Sequence, residues 1–416
     1  MDIACGCGAR ISLPRIRSCH AQAASAVRWA MARWLGGLLA LGFISAMTAG
    51  IPGTSSWAGG GMQYYVAPNG SDANDGSESH PFATIDRGAE VVNPGDTVIV
   101  RDGIYTDLDE EGTMVRVRRS GTPEAPITFR AEHKWRAVLD GQNNKGEYAW
   151  SLWHEKELCH VNIEGFEIRS FASHGFSLQS NTHHILIKGN HVHHIGNIET
   201  TTHYGLDGSY DSESCSYITY DGNVIHDIGR IGPPTVNFNL DHGIYTCGDH
   251  NVIANNVFYD NKAGWGVQVA GYDTVDDLVI SNNTFAGGES RGHIVLWQPC
   301  HNLVIQNNIF YRPAVPNAIN FYEADLQNVI IRHNLVFGGG LKDNDDNGAC
   351  LVSDTIEGRD PLFVDPAQSD FRLQAGSPAI DAGVAVKAPD HDCAGKRRPY
   401  GAGVDLGAFE WHPAKR

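Results

Sequence analysis

Proton-transfer chemistry needs imidazoles, phenols and carboxyls close together, and one short stretch of this chain holds all three: Asn239-Leu240-Asp241-His242-Gly243-Ile244-Tyr245. An imidazole titrates near neutral pH while a phenol stays protonated there, so His242 reads as a base and Tyr245 as a proton donor. Asp241 adjoins the histidine. Comparable groups stand upstream at His203, Tyr204 and Asp207, and downstream at Lys262, Trp265 and Gln268. Lys262 and Arg291 are candidate cations for an acidic ligand. Trp265, Gln268, Trp297, Tyr204 and Tyr322 are candidate ligand-gripping side chains. The bland alternative is an Asp-His pair that only ties down a turn.

Residues this far apart in the chain meet only if a scaffold stacks them, and the sequence contains a repeat that would do so. Lys188-Gly-Asn-His-Val, Asp221-Gly-Asn-Val-Ile, Asn255-Asn-Val-Phe, Asn282-Asn-Thr-Phe, Asn307-Asn-Ile-Phe and His333-Asn-Leu-Val are copies of one motif. The shared Asn falls at 190, 223, 256, 283, 308 and 334, with gaps of 33, 33, 27, 25 and 26. Three residues earlier stand Ile187, Tyr220, Ile253, Ile280, Ile305 and Ile331; two residues later stand Val192, Ile225, Phe258, Phe285, Phe310 and Val336. Short strands of this kind cannot bury a face alone, but stacked copies share a continuous core. Asn suits the bend because it tolerates left-handed backbone. Its amide can also bond to the same residue one layer away, about 4.8 Å on. The pattern predicts an all-β chain, a single-stranded right-handed parallel β-helix.

A second strand recurs in each coil: His174-Gly-Phe-Ser-Leu-Gln, Tyr204-Gly-Leu-Asp-Gly-Ser, His242-Gly-Ile-Tyr-Thr-Cys, Trp265-Gly-Val-Gln-Val-Ala, then Ile294-Val-Leu-Trp and Ile319-Asn-Phe-Tyr. Alternation predicts Phe176, Leu206, Ile244, Val267, Ile294 and Ile319 facing inward. It leaves His174, Ser177, Tyr204, Asp207, His242, Tyr245, Trp265, Gln268, Trp297 and Tyr322 as a polar and aromatic outer wall. Such a wall is built for gripping rather than for solvation.

Metal-binding patterns are present but incomplete. Of 20 histidines, 14 lie between His154 and His301, with His183-His184 and His191-x-His193-His194 as the densest groups. They flank the Asn motif and show no coherent carboxylate partner in the sequence, so stacked or solvated turn histidines are expected. Asp72, Asn74 and Asp75 have oxygen ligands spaced for a calcium loop, although an Asx-rich turn explains them equally well.

Lys+Arg of 31 against Asp+Glu of 48 gives a charge of −17, which excludes a non-specific nucleic-acid binder. From Met31, Arg33 precedes an apolar stretch too short for a membrane span, ending near Ser56-Trp57-Ala58; residues 1–58 read as a secretory leader, with Met31 an alternative start. Without them the balance is 26 − 47 = −21 and six cysteines remain. Cys215 and Cys247 could pair across adjacent coils, or stay buried thiols.

Tyr64-Tyr-Val-Ala-Pro-Asn-Gly-Ser-Asp, Pro94-Gly-Asp-Thr-Val and Ser120-Gly-Thr-Pro-Glu-Ala-Pro resemble the opening of secreted β-helix polysaccharide lyases of the pectate lyase type and of polysaccharide lyase families 6 and 9. Asp360-Pro-Leu-Phe-Val-Asp and Asp405-Leu-Gly-Ala-Phe-Glu resemble the closing segment of exported bacterial β-helix proteins. The likeness divides the chain into a cap with first coils (59–126), central coils (127–340) and a closing segment (341–416). It implies a secreted, periplasmic or cell-surface monomer without a stable membrane span, acting on an acidic polysaccharide. A lyase would neutralise a uronate carboxylate, take the C5 proton and protonate O4. Family 9 implies a Lys base beside calcium and several Asp; the central coils offer Lys188 and Lys262, neither in a matching motif. A glycoside hydrolase using Asp207 and Asp241, or a non-catalytic glycan-binding module, are the alternatives.

Overall fold

The computed structural model describes residues 61–413, apart from 155, 199–204, 232–239, 272, 289–290 and 323–324. These residues belong to one compact unit. The expected leader and the candidate residues His203 and Tyr204 lie outside the described residues.

Each turn of the chain supplies one strand to each of three long parallel sheets. An eleven-stranded sheet runs from Gln63–Val66 to Cys350–Ser353, a ten-stranded sheet from Gly103–Tyr105 to Ile356–Glu357, and a nine-stranded sheet from Thr113–Arg116 to Gly340–Lys342. In every sheet a strand is bonded to the strand one coil away. The fold is a parallel β-helix.

The repeat's apolar positions become two unbroken columns of the core. Ile187, Tyr220, Ile253, Ile280, Ile305 and Ile331 are in register along the eleven-stranded sheet. Val192, Ile225, Phe258, Phe285, Phe310 and Val336 are in register along the ten-stranded sheet. Phe258, Phe285 and Phe310 stack ring on ring at 4.7 and 5.3 Å. All of these side chains lie in one hydrophobic cluster.

The two-residue bend between those sheets divides its labour. The left-handed residue is the first of the pair: Gly189, Gly222, Asn255, Asn282, Asn307 and His333 have positive φ, and the shared Asn that follows each of them does not. That second Asn is wholly buried and forms the expected ladder. The backbone N–H groups of Asn190, Asn223, Asn256, Asn283 and Asn308 each donate to the side-chain oxygen of the Asn one coil on, at 2.8–2.9 Å. Their Nδ2 atoms reach strand carbonyls such as Ile163 and Ile253. No buried amide in the ladder is left idle.

Two caps finish the stack. The helix Ile85–Val91, N-capped by Thr84, buries Ile85 and Ala89 in the main core. Phe363, Phe371, Leu373, Leu406 and Ala408 cover the upper part of the ten-stranded sheet through Val257, Ile309 and Leu335. Arg398, fully buried in this cap, is paired with Glu410 at 2.8 Å. No helix of the described residues is long and apolar enough to cross a membrane.

Candidate active site

The outer face of the nine-stranded sheet carries the polar and aromatic wall. Arg116, Ser151, Ser177, Tyr210, Tyr245, Gln268, Val295 and Asn320 are successive register partners along it. At one end Glu111, Arg116, Tyr148, Trp153, Ser177 and Gln179 line a cleft, with Trp153 53% exposed. At the other end Trp297 and the exposed Tyr322 stack at 4.6 Å with their planes 4° apart. Between them the rings of Tyr210 and Tyr245 lie 5.5 Å apart. Sequence reasoning missed Trp153, Tyr210 and Arg116.

Tyr210 was missed because in its coil the third sheet's register differs from the sequence alignment by three residues. His174 pairs with Asp207, not with Tyr204, and Ser209 rather than Leu206 pairs with Phe176 and Ile244. A glycine follows each of His174, Asp207, His242 and Trp265. A Cβ at Gly175, Gly208, Gly243 or Gly266 would lie 2.5–2.9 Å from the next coil's backbone oxygen and against Val192, Ile225, Phe258 or Phe285. Only glycine fits a corner this tight, and the residues before it form a column of their own.

The side chains of that column are nevertheless covered. His242 and Asp241 have no exposure, Asp207 has 1% and Trp265 5%, so the expectation that they line an open groove is corrected. Trp265 belongs to neither hydrophobic cluster, yet it is too deep to stack on a ligand. Each polar member serves the coil above. The Asp207 N–H donates to His174 Nδ1 at 3.3 Å, the His242 N–H to Asp207 Oδ1 at 2.8 Å, and the Trp265 N–H to His242 Nδ1 at 3.2 Å. With Nδ1 accepting, neutral His242 carries its proton on Nε2, which is buried without a partner. Burial, reinforced by the charge of Arg230, lowers its pKa to about 3. His242 is therefore a neutral donor rather than a base, and its ring sits 5.5 Å from that of Tyr245.

Asp241 is committed elsewhere. Arg230 Nε and NH2 clamp its carboxylate at 2.8 and 2.6 Å, and the Arg230 and Leu206 N–H groups add two more bonds. This is a buried bidentate ion pair holding the entry to the strand. Burial, then the charge of Asp241, pushes the Asp207 carboxyl well above the usual range. Tyr245 is half-buried, and burial raises its hydroxyl above the ordinary phenol value. It stays protonated at neutral pH.

The remaining candidates are dispersed. Lys262 Nζ meets Asp227 Oδ1 at 2.9 Å at the exit of the ten-stranded sheet. Arg291 lines a small cleft with Tyr259, Asn261 and Gly264, and its Nε is buried without a partner. Neither is joined to Tyr245 by a described contact. Gln268, one coil above Tyr245, keeps a buried side-chain oxygen without a partner. The six described cysteines are free thiols, Cys215 and Cys247 included.

Calcium does not fit the described residues. Asp72 spends both oxygens on Ala83, Thr84 N–H and Thr84 hydroxyl; Asn74 donates to Pro81 O; Asp75 accepts from Ser77. The three close a turn and do not converge on a cation. Asp211, another buried carboxylate, accepts from Cys247 N–H, Gly248 N–H and Tyr220 hydroxyl. Among the described residues the groups of three close ligand side chains are Glu167–His191–His193 and Asp102–Glu132–His133, neither with several aspartates, so no catalytic step is derived through calcium.

A family model described as Pel9A-like, right handed beta helix region, matches residues 64–230. The crystal structure of pectate lyase Pel9A superposes with a TM-score of 0.56 over 84% of this chain and 96% of that one, at 17% identity. The chain has a pectate lyase-like right-handed parallel β-helix. Pectate lyase L of Dickeya dadantii is 23% identical over 402 residues, covering 83% of this chain and 90% of that protein. The uncharacterized protein YwoF of Bacillus subtilis is 27% identical over 368 residues, covering 68% and 76%.

Proposed function

We propose that this chain is a secreted polysaccharide-degrading enzyme that cleaves a uronate-containing glycan by β-elimination along the outer wall of the nine-stranded sheet. The observation that carries the reading is the half-buried Tyr210–Tyr245 pair, flanked by an exposed Trp153 platform on one side and the Trp297–Tyr322 stack on the other. Aromatic faces spaced along a rigid wall suit an extended chain of sugar rings. The pectate lyases named above support an acidic glycan as the substrate class.

In β-elimination the C5 proton passes to water as the base, the C4–O4 bond breaks, a C4=C5 double bond forms, and O4 takes a proton from a donor that water then reprotonates. Tyr245 is assigned as the donor to O4, because burial keeps its hydroxyl protonated and its ring stands on the wall. His242 and Asp207 beneath it are positioning residues. Arg116, held by Asp109 at 2.5 Å and Glu111 at 2.6 Å, is the cation of the wall and would hold a uronate several coils from Tyr245. Loss of Asp241 to the Arg230 pair weighs against a two-carboxylate hydrolase.

A panel of uronate polysaccharides tests the reading. Ultraviolet-absorbing unsaturated ends from the wild type, lost in Tyr245→Phe, support it. New reducing ends without unsaturation indicate a hydrolase; binding with neither indicates a glycan-binding module.

A further inference from the structure

The outer face of the ten-stranded sheet holds a second chemical cluster that the groove does not use. Strand His191–His193 projects both imidazoles to one side, their ring centroids 4.5 Å apart. Glu167 is the register partner of His191 one coil below, and its Oε1 lies 3.4 Å from His193 Nε2. One coil above, His226 is in register with His193, with the two rings parallel at 5.0 Å. His226 Nε2 lies 2.8 Å from His191 Nε2, and its Nδ1 bonds Asp227 Oδ2 at 2.6 Å.

We propose that Glu167, His191 and His193 form a binding site for one divalent transition-metal ion of the zinc type, with His226 as a fourth nitrogen. The ligand atoms of Glu167, His191 and His193 lie within 4.8 Å of one another, close enough for one ion to span with small rotamer changes. Two imidazoles and a carboxylate select zinc, copper or nickel over calcium or magnesium, which prefer oxygen. The second shell is in place. Asp227 orients His226, and Arg169 NH1 orients Glu167 at 2.9 Å while its Nε is held by Asp140. The charges opposing an ion are Arg169, Lys134 near His191, and Lys262, which is paired with Asp227. The carboxylate was invisible beside the His191-x-His193 motif because it lies 24 residues earlier.

The site bridges successive coils just where the C-terminal cap begins: Tyr259 stacks on His226 at 4.4 Å and meets Phe371 at 5.5 Å. A bound ion would staple those coils and leave the groove untouched.

The test uses the full chain without an affinity tag, stripped with chelator, and titrated calorimetrically with zinc. We expect one zinc per chain, a visible Co²⁺ d–d band that zinc displaces, and a rise in melting temperature with zinc. His191→Ala/His193→Ala should weaken zinc binding roughly 100-fold, and Glu167→Gln roughly tenfold. His183→Ala/His184→Ala, on the eleven-stranded sheet, should leave it unchanged. No stoichiometric binding by the wild type overturns the proposal, as does unchanged affinity in the double variant. If the double variant does not fold, unchanged affinity in Glu167→Gln overturns it equally.

Discussion

Tyr245 and His242 lie three residues apart and play different parts. Tyr245 reaches the wall; His242 is sealed beneath it, neutral, and bonded to the next coil. Tyr245→Phe removes one oxygen and should reduce unsaturated product about 100-fold or more, with circular dichroism unchanged, as expected for loss of a proton donor. Asp241→Asn should act through folding instead. It removes the charge from one half of the buried Arg230–Asp241 ion pair and should cost about 3–5 kcal/mol in urea denaturation. Asp241, His242 and Tyr245 are neighbours in the sequence. Their separate fates depend on Arg230, 11 residues away, and on coil-to-coil bonds that no local pattern records.

At the scale of strands and bends, the Asn ladder is the element most legible in the sequence, because its Asn and the apolar residues around it recur at fixed offsets. Every predicted member of two core columns is found in register. In the third column one coil is out of phase by three residues, Ser209 standing where Leu206 is expected, since Tyr204-Gly205 and Asp207-Gly208 both imitate the motif; Ile244, Val267, Ile294 and Ile319 are in register as expected. A Cβ at Gly205 or Gly208 would lie 2.6 Å from a backbone oxygen of Leu240 or Gly243, so local sterics allow either phase, and the pairing of Asp207 with His174 one coil away distinguishes them. The ladder also carries measurable stability. Asn283 accepts from Asn256 N–H and donates to Ile253 O and to Asn308 Oδ1. Asn283→Ala strands these buried groups and should destabilise the fold by about 2–5 kcal/mol, read as a lower urea midpoint at unchanged slope.

For the whole molecule, acidification probes how the solenoid stores neutral imidazoles. His293 is buried against Phe285 and Phe310 at 5.7 and 5.8 Å, and burial lowers its pKa to about 3. Below its ordinary value of 6.5 the unfolded chain binds this proton and the folded chain does not. The stability tied to neutral His293 is thus complete above pH 6.5 and is lost as pH falls toward 3. His293→Phe removes that linkage. Relative to wild type it should gain about 1.4 kcal/mol per pH unit from 6.5 downward, seen as melting-temperature curves that diverge only on the acid side.

An acidic chain and the proposed acidic glycan would repel each other at long range, so the proposed binding has to be local to the wall. Crystals of Tyr245→Phe soaked with a uronate oligosaccharide examine that claim most directly. The sugar rings should run along the outer face of the nine-stranded sheet, from Trp153 past Tyr210 to residue 245 and toward the Trp297–Tyr322 stack. An oligosaccharide seated instead on either of the other two sheets, or against the C-terminal cap, would contradict the account.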